Sequence, residues 1–386
     1  MLRKFSVVLL ATIAVALAQK PSSPSGTSRP KPPPEQVRAI AKPTHPHPPE
    51  EESAGISKFS FIIYGDTRGR RDGKEIQYEH SLVMDSMLST IAARAKTEFP
   101  VRFVLQSGDA VVDGRDPKQW NASFLSIINR LTTVGGVPYF LAPGNHDVTS
   151  ASELTSTNRL KGLTNYLAAI SQLIPPEGAS RRLEDYPTFA FGYGNSFFIA
   201  LDSNIAGDKT QYDWTVQQLE SIDRHRYTNV FAFFHHPLFS SGPHGGASIE
   251  KPTEQLRKIY SPLFRKYHFR GVFSGHEHLF EHWAEHYADS AGVTNRLDYV
   301  VTGGGGAPLY GLKGNPNTGD YEKAFEKEKV KLTQLARPGP DPGDNPYHYV
   351  LVTVNGPTVN LEVVGVDWGR DYRPYRSNKI EFTDSH

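Results

Sequence analysis

Short apolar runs recur along this chain, and each is followed within a few residues by an aspartate, an asparagine or a histidine. Five such runs span residues 59–64, 101–106, 137–141, 230–234 and 269–273. Runs of this length are typical of β-strands that are buried on both faces. Open α/β sheets bind ligands at the carboxyl ends of their strands. The pattern therefore predicts one site at the rim of a sheet, built from the polar residues that follow these strands.

Segments between the strands carry apolar residues at helical spacing. In residues 78–96, for example, Val83, Met87 and Ile91 recur every four residues, which predicts a helix. Further helices are predicted over residues 120–131, 160–173, 210–224 and 252–266. From Leu279 onward the pattern is mostly that of strands. Strands alternating with helices, followed by a β-rich end, predict a mixed α/β fold.

The first residues have the pattern of a secretory signal peptide. Arg3 and Lys4 precede an apolar stretch over residues 5–17, and small residues stand at Ala16 and Ala18. A membrane anchor is the alternative, but the stretch is shorter than the ~20 residues that a spanning helix needs. We predict a signal peptide over residues 1–18, cleaved near Ala18, and a secreted or periplasmic protein without a stable membrane anchor.

The segment after the predicted cleavage site is rich in proline. Residues 19–56 are also rich in serine, lysine and glutamate, and such a composition buries little apolar surface. We predict a disordered linker over residues 19–56. The remaining residues, 57–386, are predicted to form one catalytic domain that includes the β-rich C-terminal part.

Composition narrows the classes of partner and of metal site. The chain has 386 residues and a formal net charge of +1, which gives no reason to expect nucleic acid as a partner. It contains no cysteine, so zinc sites built on thiolates are excluded. Any metal must be held by oxygen and nitrogen atoms, a ligand set that suits manganese, iron or zinc.

The polar residues after the strands form recognisable motifs. In chain order they are Gly65-Asp66-Thr67-Arg68, Gly108-Asp109, Gly144-Asn145-His146-Asp147, His235-His236-Pro237 and Gly275-His276-Glu277-His278. Together they resemble the calcineurin-like metallophosphoesterase superfamily, nearest to its purple-acid-phosphatase-related branch. The resemblance implies a four-layered α/β/β/α sandwich and a metal-dependent phosphoric ester hydrolase.

The same resemblance implies two divalent or trivalent metal ions. Asp109 would bridge them, Asp66 and His278 would complete the shell of the first ion, and the second ion would take the ligands Asn145, His235 and His276. Residues i and i+2 of an extended chain point to the same side, so His276 and His278 can reach neighbouring ions. A hydroxide on the metals would be the nucleophile.

Two residues of the third motif have further implied roles. By resemblance, His146 contacts the phosphate and acts as general acid toward the leaving oxygen. Asp147 has two interpretations: it orients the imidazole of His146, or it forms a turn of the loop.

Arg68 is where the chain departs from the superfamily, whose first motif usually has a ligating histidine at this position. A guanidinium has no lone pair to donate. Arg68 either grips a phosphate oxygen or braces the loop through a salt bridge. The tyrosine ligand of the iron-binding purple phosphatases is also missing, because Val112 stands in its place. Asp113 is a candidate for the missing ligand, or only a loop residue.

These observations favour an exported phosphomonoesterase that acts on a small-molecule phosphate ester. A phosphodiesterase, or a nucleotide or phospholipid-headgroup hydrolase, is the alternative within the same chemistry. A protein that binds a phosphorylated ligand without turnover, its first metal site impaired by Arg68, is the alternative from another class. An intact His146 argues against it, because a binding protein needs no proton donor.

Overall fold

The computed structural model describes residues 33–148, 154–245, 249–312 and 329–366, and the backbone of residues 379–382. The predicted signal peptide, residues 1–18, lies outside the described residues, as do residues 19–32 of the predicted linker. Among the described residues, no helix has the length and apolar character needed to cross a membrane.

Strands and helices alternate through the first two thirds of the chain and give way to strands. The strands are β1 Lys58–Tyr64, β2 Val101–Gln106, β3 Tyr139–Leu141, β4 Phe189–Tyr193, β5 Ser196–Ala200, β6 Asn229–Phe233, β7 Gly271–Ser274, β8 Phe280–Ala288, β9 Thr294–Thr302, β10 Val330–Ala336, β11 Tyr347–Asn355, β12 Thr358–Val366 and β13 Lys379–Phe382. The helices are α1 Tyr78–Arg94, α2 Leu125–Arg130, α3 Asn145–Val148, α4 Thr157–Ile170, α5 Lys209–Ser221, α6 Lys251–Gln255 and α7 Ser261–Lys266. Each of the five apolar runs overlaps a strand, as predicted.

The strands form two sheets, and each sheet contains a block of parallel strands. The first sheet has the order β13-β12-β11-β1-β2-β3, in which β1, β2 and β3 are parallel. The second has the order β10-β8-β9-β7-β6-β5-β4, in which β5, β6, β7 and β9 are parallel. Both sheets thus contain parallel strands. Of the strands after residue 279, β9 pairs in parallel with β7, and β8, β10, β11 and β12 add antiparallel pairs.

An aromatic layer joins the two sheets. Phe61 of β1 stacks on Phe103 of β2 with 5.6 Å between ring centroids. Its ring also meets Phe198, Phe231 and Phe273 of the second sheet edge-on, at 5.2, 5.5 and 5.9 Å. The two sheets therefore pack face to face, and offset and edge-on ring contacts stabilise the interface.

Helices cover the outer faces of the sheets. In β5, Phe198 belongs to the core between the sheets, whereas its neighbour Phe197 belongs to a second core with Trp214 of α5 and Phe264 of α7, because successive strand residues point to opposite faces. Helix α1 packs on the first sheet, where Thr90 Oγ1 lies 2.6 Å from the Tyr349 hydroxyl. The layers run helix, sheet, sheet, helix, which confirms the predicted four-layered fold.

The described part of the proline-rich segment differs from the predicted linker. Ile40 is fully buried, and its backbone N–H donates to the Ala169 carbonyl at 2.8 Å. Glu50 accepts hydrogen bonds from Arg181 at 2.9 Å and from Tyr227 at 2.7 Å. Composition averages over the segment, whereas single apolar or acidic residues are enough to hold an extended chain against a folded domain. Residues 35–56 thus belong to the compact unit that begins at Glu35, and the prediction of disorder does not fit them.

Candidate metal centre

The sequence motifs meet where the parallel strands of both sheets end. Asp66 follows β1, Asp109 follows β2, and His276 follows β7. All three have left-handed backbone angles, with φ of 60° for Asp66, 54° for Asp109 and 71° for His276. Residues other than glycine rarely adopt this conformation, and those that do cluster at functional sites.

Glycines of the motifs allow the backbone to approach the carboxylates. A Cβ atom on Gly144 would lie 2.2 Å from Asp109 Oδ1, and one on Gly275 would lie 2.2 Å from Asp66 Oδ2. Both distances are far shorter than any van der Waals contact, so a larger residue would displace the carboxylate. The motif glycines therefore serve the packing of the site.

Each carboxylate is oriented by the backbone of a different motif. The N–H of His276 donates to Asp66 Oδ2 at 2.8 Å, and the N–H of His146 donates to Asp109 Oδ1 at 3.0 Å. Asp66 Oδ1 is buried, and it has no hydrogen-bond partner among the residues that the structure describes. A buried carboxylate oxygen without a donor is costly, and a nearby cation would offset that cost.

Two imidazoles are fixed so that one ring nitrogen faces the cluster. His235 Nδ1 lies 3.0 Å from the Ser107 carbonyl, and His278 Nδ1 lies 2.8 Å from the Pro308 carbonyl. Because a carbonyl only accepts, Nδ1 carries the hydrogen in both rings. The Nε2 lone pairs are therefore directed into the site, as they are in metal-binding histidines.

One side of the centre, here called the Asn145 half, consists of Asn145, His235, His276 and the shared Asp109. His235 Nε2 lies 2.8 Å from Asn145 Oδ1, 3.0 Å from His276 Nδ1 and 3.3 Å from Asp109 Oδ1. Metal bonds of about 2.0–2.2 Å place neighbouring ligand atoms about 3 Å apart. Burial lowers the pKa of His235, which favours the neutral, ligating form. The donor set of the Asn145 half fits a metal ion.

Glu250 is a member of this neighbourhood that the sequence reasoning missed. Its Oε2 lies 3.1 Å from His276 Nε2 and 3.8 Å from His236 Nε2. The hydrogen bond from His276 lowers the pKa of Glu250. The carboxylate holds Nε2 of His276, so that its other ring nitrogen, Nδ1, faces His235 Nε2 at 3.0 Å. No motif identifies Glu250, because it lies 15 residues after His235, in front of α6.

Glu277, the variable position of the last motif, anchors the loop that follows β6. Its buried carboxylate accepts the backbone N–H of His244 at 2.7 Å and that of Gly245 at 3.1 Å. It also lies 3.2 Å from His244 Nδ1, and this hydrogen bond raises the pKa of His244. The last motif therefore supplies one ring nitrogen from each of its two histidines to the centre. Its glutamate supplies a carboxylate to the loop beside the centre.

The other side, here called the Arg68 half, consists of Asp66, Arg68, His278 and the shared Asp109. Arg68 Nε lies 3.2 Å from Asp109 Oδ2, and its terminal nitrogen lies 3.3 Å from His278 Nε2. His278 Nε2 is in turn 3.5 Å from Asp66 Oδ1. The guanidinium thus contacts two of the three residues that the family resemblance assigns to the first ion.

His146 lies between the centre and solvent. Its Nδ1 is 2.6 Å from the Val112 carbonyl, its Nε2 is 4.0 Å from Asp109 Oδ2, and 31% of the side chain is exposed. The carbonyl fixes the ring, and Nε2 is left at the mouth of the site. This placement suits proton transfer to a bound substrate.

Asp147 does not orient His146, which corrects one of the two roles considered for it. Its carboxylate is fully buried and accepts the backbone N–H groups of Ala110 and Gly144, both at 2.9 Å. Burial, together with the nearby Asp109 carboxylate, raises the pKa of Asp147. Asp147 therefore ties together the loops after β2 and β3.

Asp113 likewise lies apart from the centre. Both of its carboxylate oxygens accept hydrogen bonds from Arg115, at 2.8 and 2.9 Å. A bidentate ion pair of this kind leaves Asp113 unsuited to complete a metal shell, so it does not replace the missing histidine.

Comparison with known proteins agrees with the fold and the motifs. Residues 84–280, just over half of the chain, match the family model described as calcineurin-like phosphoesterase. Purple acid phosphatase 15 of Arabidopsis thaliana is 28% identical over 44% of this chain and 30% of its own length. Serine/threonine-protein phosphatase CPPED1 of Rattus norvegicus is 23% identical over 54% of this chain and 60% of its own length. The chain thus spans less than two thirds of either relative.

A solved structure shows the same architecture. Purple acid phosphatase PPD1 from yellow lupin (Lupinus luteus) seeds superposes with a TM-score of 0.60 and 20% identity, covering 85% of this chain and 55% of that chain. Similarity to two purple acid phosphatases, one in sequence and one in structure, confirms the predicted resemblance to that branch. With its motifs gathered at one edge of the paired sheets, this chain belongs to the calcineurin-like phosphoesterase family.

Proposed function

We propose that this protein is an exported, metal-dependent phosphomonoesterase that hydrolyses small-molecule phosphate esters. Its main support is the convergence of Asn145 Oδ1, Asp109 Oδ1 and His276 Nδ1 on His235 Nε2, at 2.8–3.3 Å. Donor atoms this close, and of these types, are the ligand set of a transition metal. Family membership supplies the reaction class.

The residues of the chain have distinct roles in this function. Asp109, Asn145, His235 and His276 would hold the metal, and Asp66 and His278 face the other half of the centre. Bound metal would lower the pKa of water and polarise a phosphate oxygen.

His146 Nε2 gives a proton to the leaving oxygen while Nδ1 stays hydrogen-bonded to Val112. Proton donation matters most for substrates whose leaving group is a poor one. Asp147 is bonded to backbone N–H groups, and the Val112 carbonyl sets the orientation of the His146 ring.

A monoester is favoured over a diester because of charge. A terminal phosphate carries close to two negative charges near neutral pH, whereas a diester carries one. The guanidinium of Arg68, one fifth exposed beside Asp109, provides N–H donors of the kind that bind phosphate oxygens.

Activity on paired chromogenic substrates tests the reaction. We expect 4-nitrophenyl phosphate to be hydrolysed faster than bis(4-nitrophenyl) phosphate, and a chelator to abolish both activities until metal is restored. Activity that survives complete metal removal contradicts the metal-dependent mechanism. A faster rate on the diester contradicts the monoester preference alone.

Export has a separate test. The basic start, the apolar stretch and the small residues up to Ala18 motivate it. N-terminal sequencing of protein from the periplasm or medium should find a chain that begins near Gln19. An uncleaved chain that stays with the membrane fraction would contradict it.

A further inference from the structure

The two halves of the centre differ in what occupies the space between their donors. In the Asn145 half, the donor atoms face one another. In the Arg68 half, the guanidinium reaches Asp109 Oδ2 at 3.2 Å and His278 Nε2 at 3.3 Å. Each contact uses a lone pair that an ion in this half would need.

The guanidinium also supplies the charge that this half requires. Asp66 and Asp109 are both almost completely buried beside it. An arginine stays protonated throughout the working range of proteins, so this cation is permanent.

Neither Asp113 nor the residue at position 112 supplies a replacement ligand to this half. The carboxylate of Asp113 is paired with Arg115. At the position of the missing tyrosine, the backbone N–H of Val112 donates to Asp72 at 3.1 Å. Asp72 also accepts the N–H of Gly69 at 2.9 Å, so its two oxygens are used by the backbone.

We propose that the protein holds a single metal ion, in the Asn145 half, and that the Arg68 guanidinium takes the place of the second ion of the family's dinuclear centre. This inference rests on the proposed function, and it specifies the cofactor of that site. Arg68 is then both a fixed counter-charge to Asp109 and a donor to the substrate phosphate. The two interpretations of Arg68 as brace and as phosphate ligand become one role.

Metal content separates the possibilities without reference to activity. The metal-free protein is titrated with Mn²⁺, and bound ions per chain are counted after dialysis. The unmodified protein should bind one ion. Asn145→Ala should weaken or remove that ion, whereas His278→Ala should leave it in place, because His278 contacts the guanidinium and not the ion.

Restoring the family's histidine tests whether the Arg68 half can then bind a second ion. Arg68→His should raise the count from one ion to two, and the double variant Arg68→His/His278→Ala should return it to one. If Arg68→His does not fold, Arg68→Gln removes the charge with a shorter, uncharged polar side chain. It should admit a second ion that His278→Ala removes.

Loss of an ion on His278→Ala in the otherwise unmodified protein overturns the inference, because it places an ion in the Arg68 half. A count that stays at one in Arg68→His and in Arg68→Gln overturns it as well. No ion in the unmodified protein overturns the proposed function itself, which keeps the two failures distinct.

Discussion

The Asn145 half and the Arg68 half share one backbone framework, but they differ in the groups that surround the buried carboxylate of Asp109. Both lie at the ends of parallel strands, and both share the buried Asp109. One half presents oxygen and nitrogen donors that converge on His235 Nε2, whereas the other places a guanidinium against Asp109 and His278. The difference shows that a buried acidic centre needs positive charge, and that a protonated side chain can supply it where ligand atoms are missing.

The largest effect is expected at the residue that the halves share. Asp109→Asn should remove measurable phosphatase activity and the bound ion together, because an amide carries no charge to hold a cation. Activity and metal content of the same preparation test this. Asp113→Asn is the matched control, since Asp113 pairs with Arg115 away from the centre. Full activity of Asp109→Asn at unchanged metal content would refute the assignment of the site.

A smaller effect is expected for His146, which takes part in the reaction but does not bind the metal. His146→Ala should keep its ion and lose ~10²–10⁴-fold in turnover, the usual contribution of a positioned acid. The loss should shrink for substrates with acidic leaving groups, which need little protonation. His225→Ala, an exposed histidine, is the control. An equal loss across a series of leaving groups would remove the general-acid role.

A weaker effect is expected from Glu250, which contacts His276 in the Asn145 half. Glu250→Gln should lower metal affinity ~10–100-fold, as is typical when a partner of a ligating histidine is replaced, because Glu250 holds His276 Nε2 at 3.1 Å. Calorimetric titration with Mn²⁺ measures this, and the exposed Glu254→Gln on α6 is the control. Unchanged affinity would place His276 outside the metal shell.

The smallest effect concerns the support of the loop beside the Asn145 half. The buried carboxylate of Glu281 accepts the backbone N–H of Ser241 at 3.0 Å, and burial raises its pKa from 4.5 to about 7. Between these values the folded state holds a proton that the unfolded state has lost. The free energy of unfolding therefore falls as the pH rises through this window.

Replacing Glu281 removes that titration. From about pH 5 to about pH 8, the unmodified protein should lose on the order of 2 kcal/mol more unfolding free energy than Glu281→Gln. Urea unfolding at both pH values measures the difference. Identical pH dependence in the two proteins would show that Glu281 is ionised in the fold throughout this range.

Much of this molecule follows from sequence alone, because the relevant signals are local. The runs that became β1 and β2 are buried almost end to end, and such runs identify parallel strands without knowledge of their neighbours. The motifs after them carry their chemistry in consecutive residues. Fold class, family and the six metal-competent side chains could therefore be predicted from spacing and resemblance.

Only the tertiary structure decided which residues from distant parts of the chain come into contact. Asp147 turned out to bond the backbone of Ala110 and Gly144, and Glu250 to hold His276. Arg68 reaches His278 across 210 positions of sequence. A side chain's identity is local, but its partner is set by how the two sheets pack. For this reason the sequence could mark Arg68 as a departure, and only the fold shows that its guanidinium contacts both Asp109 and His278.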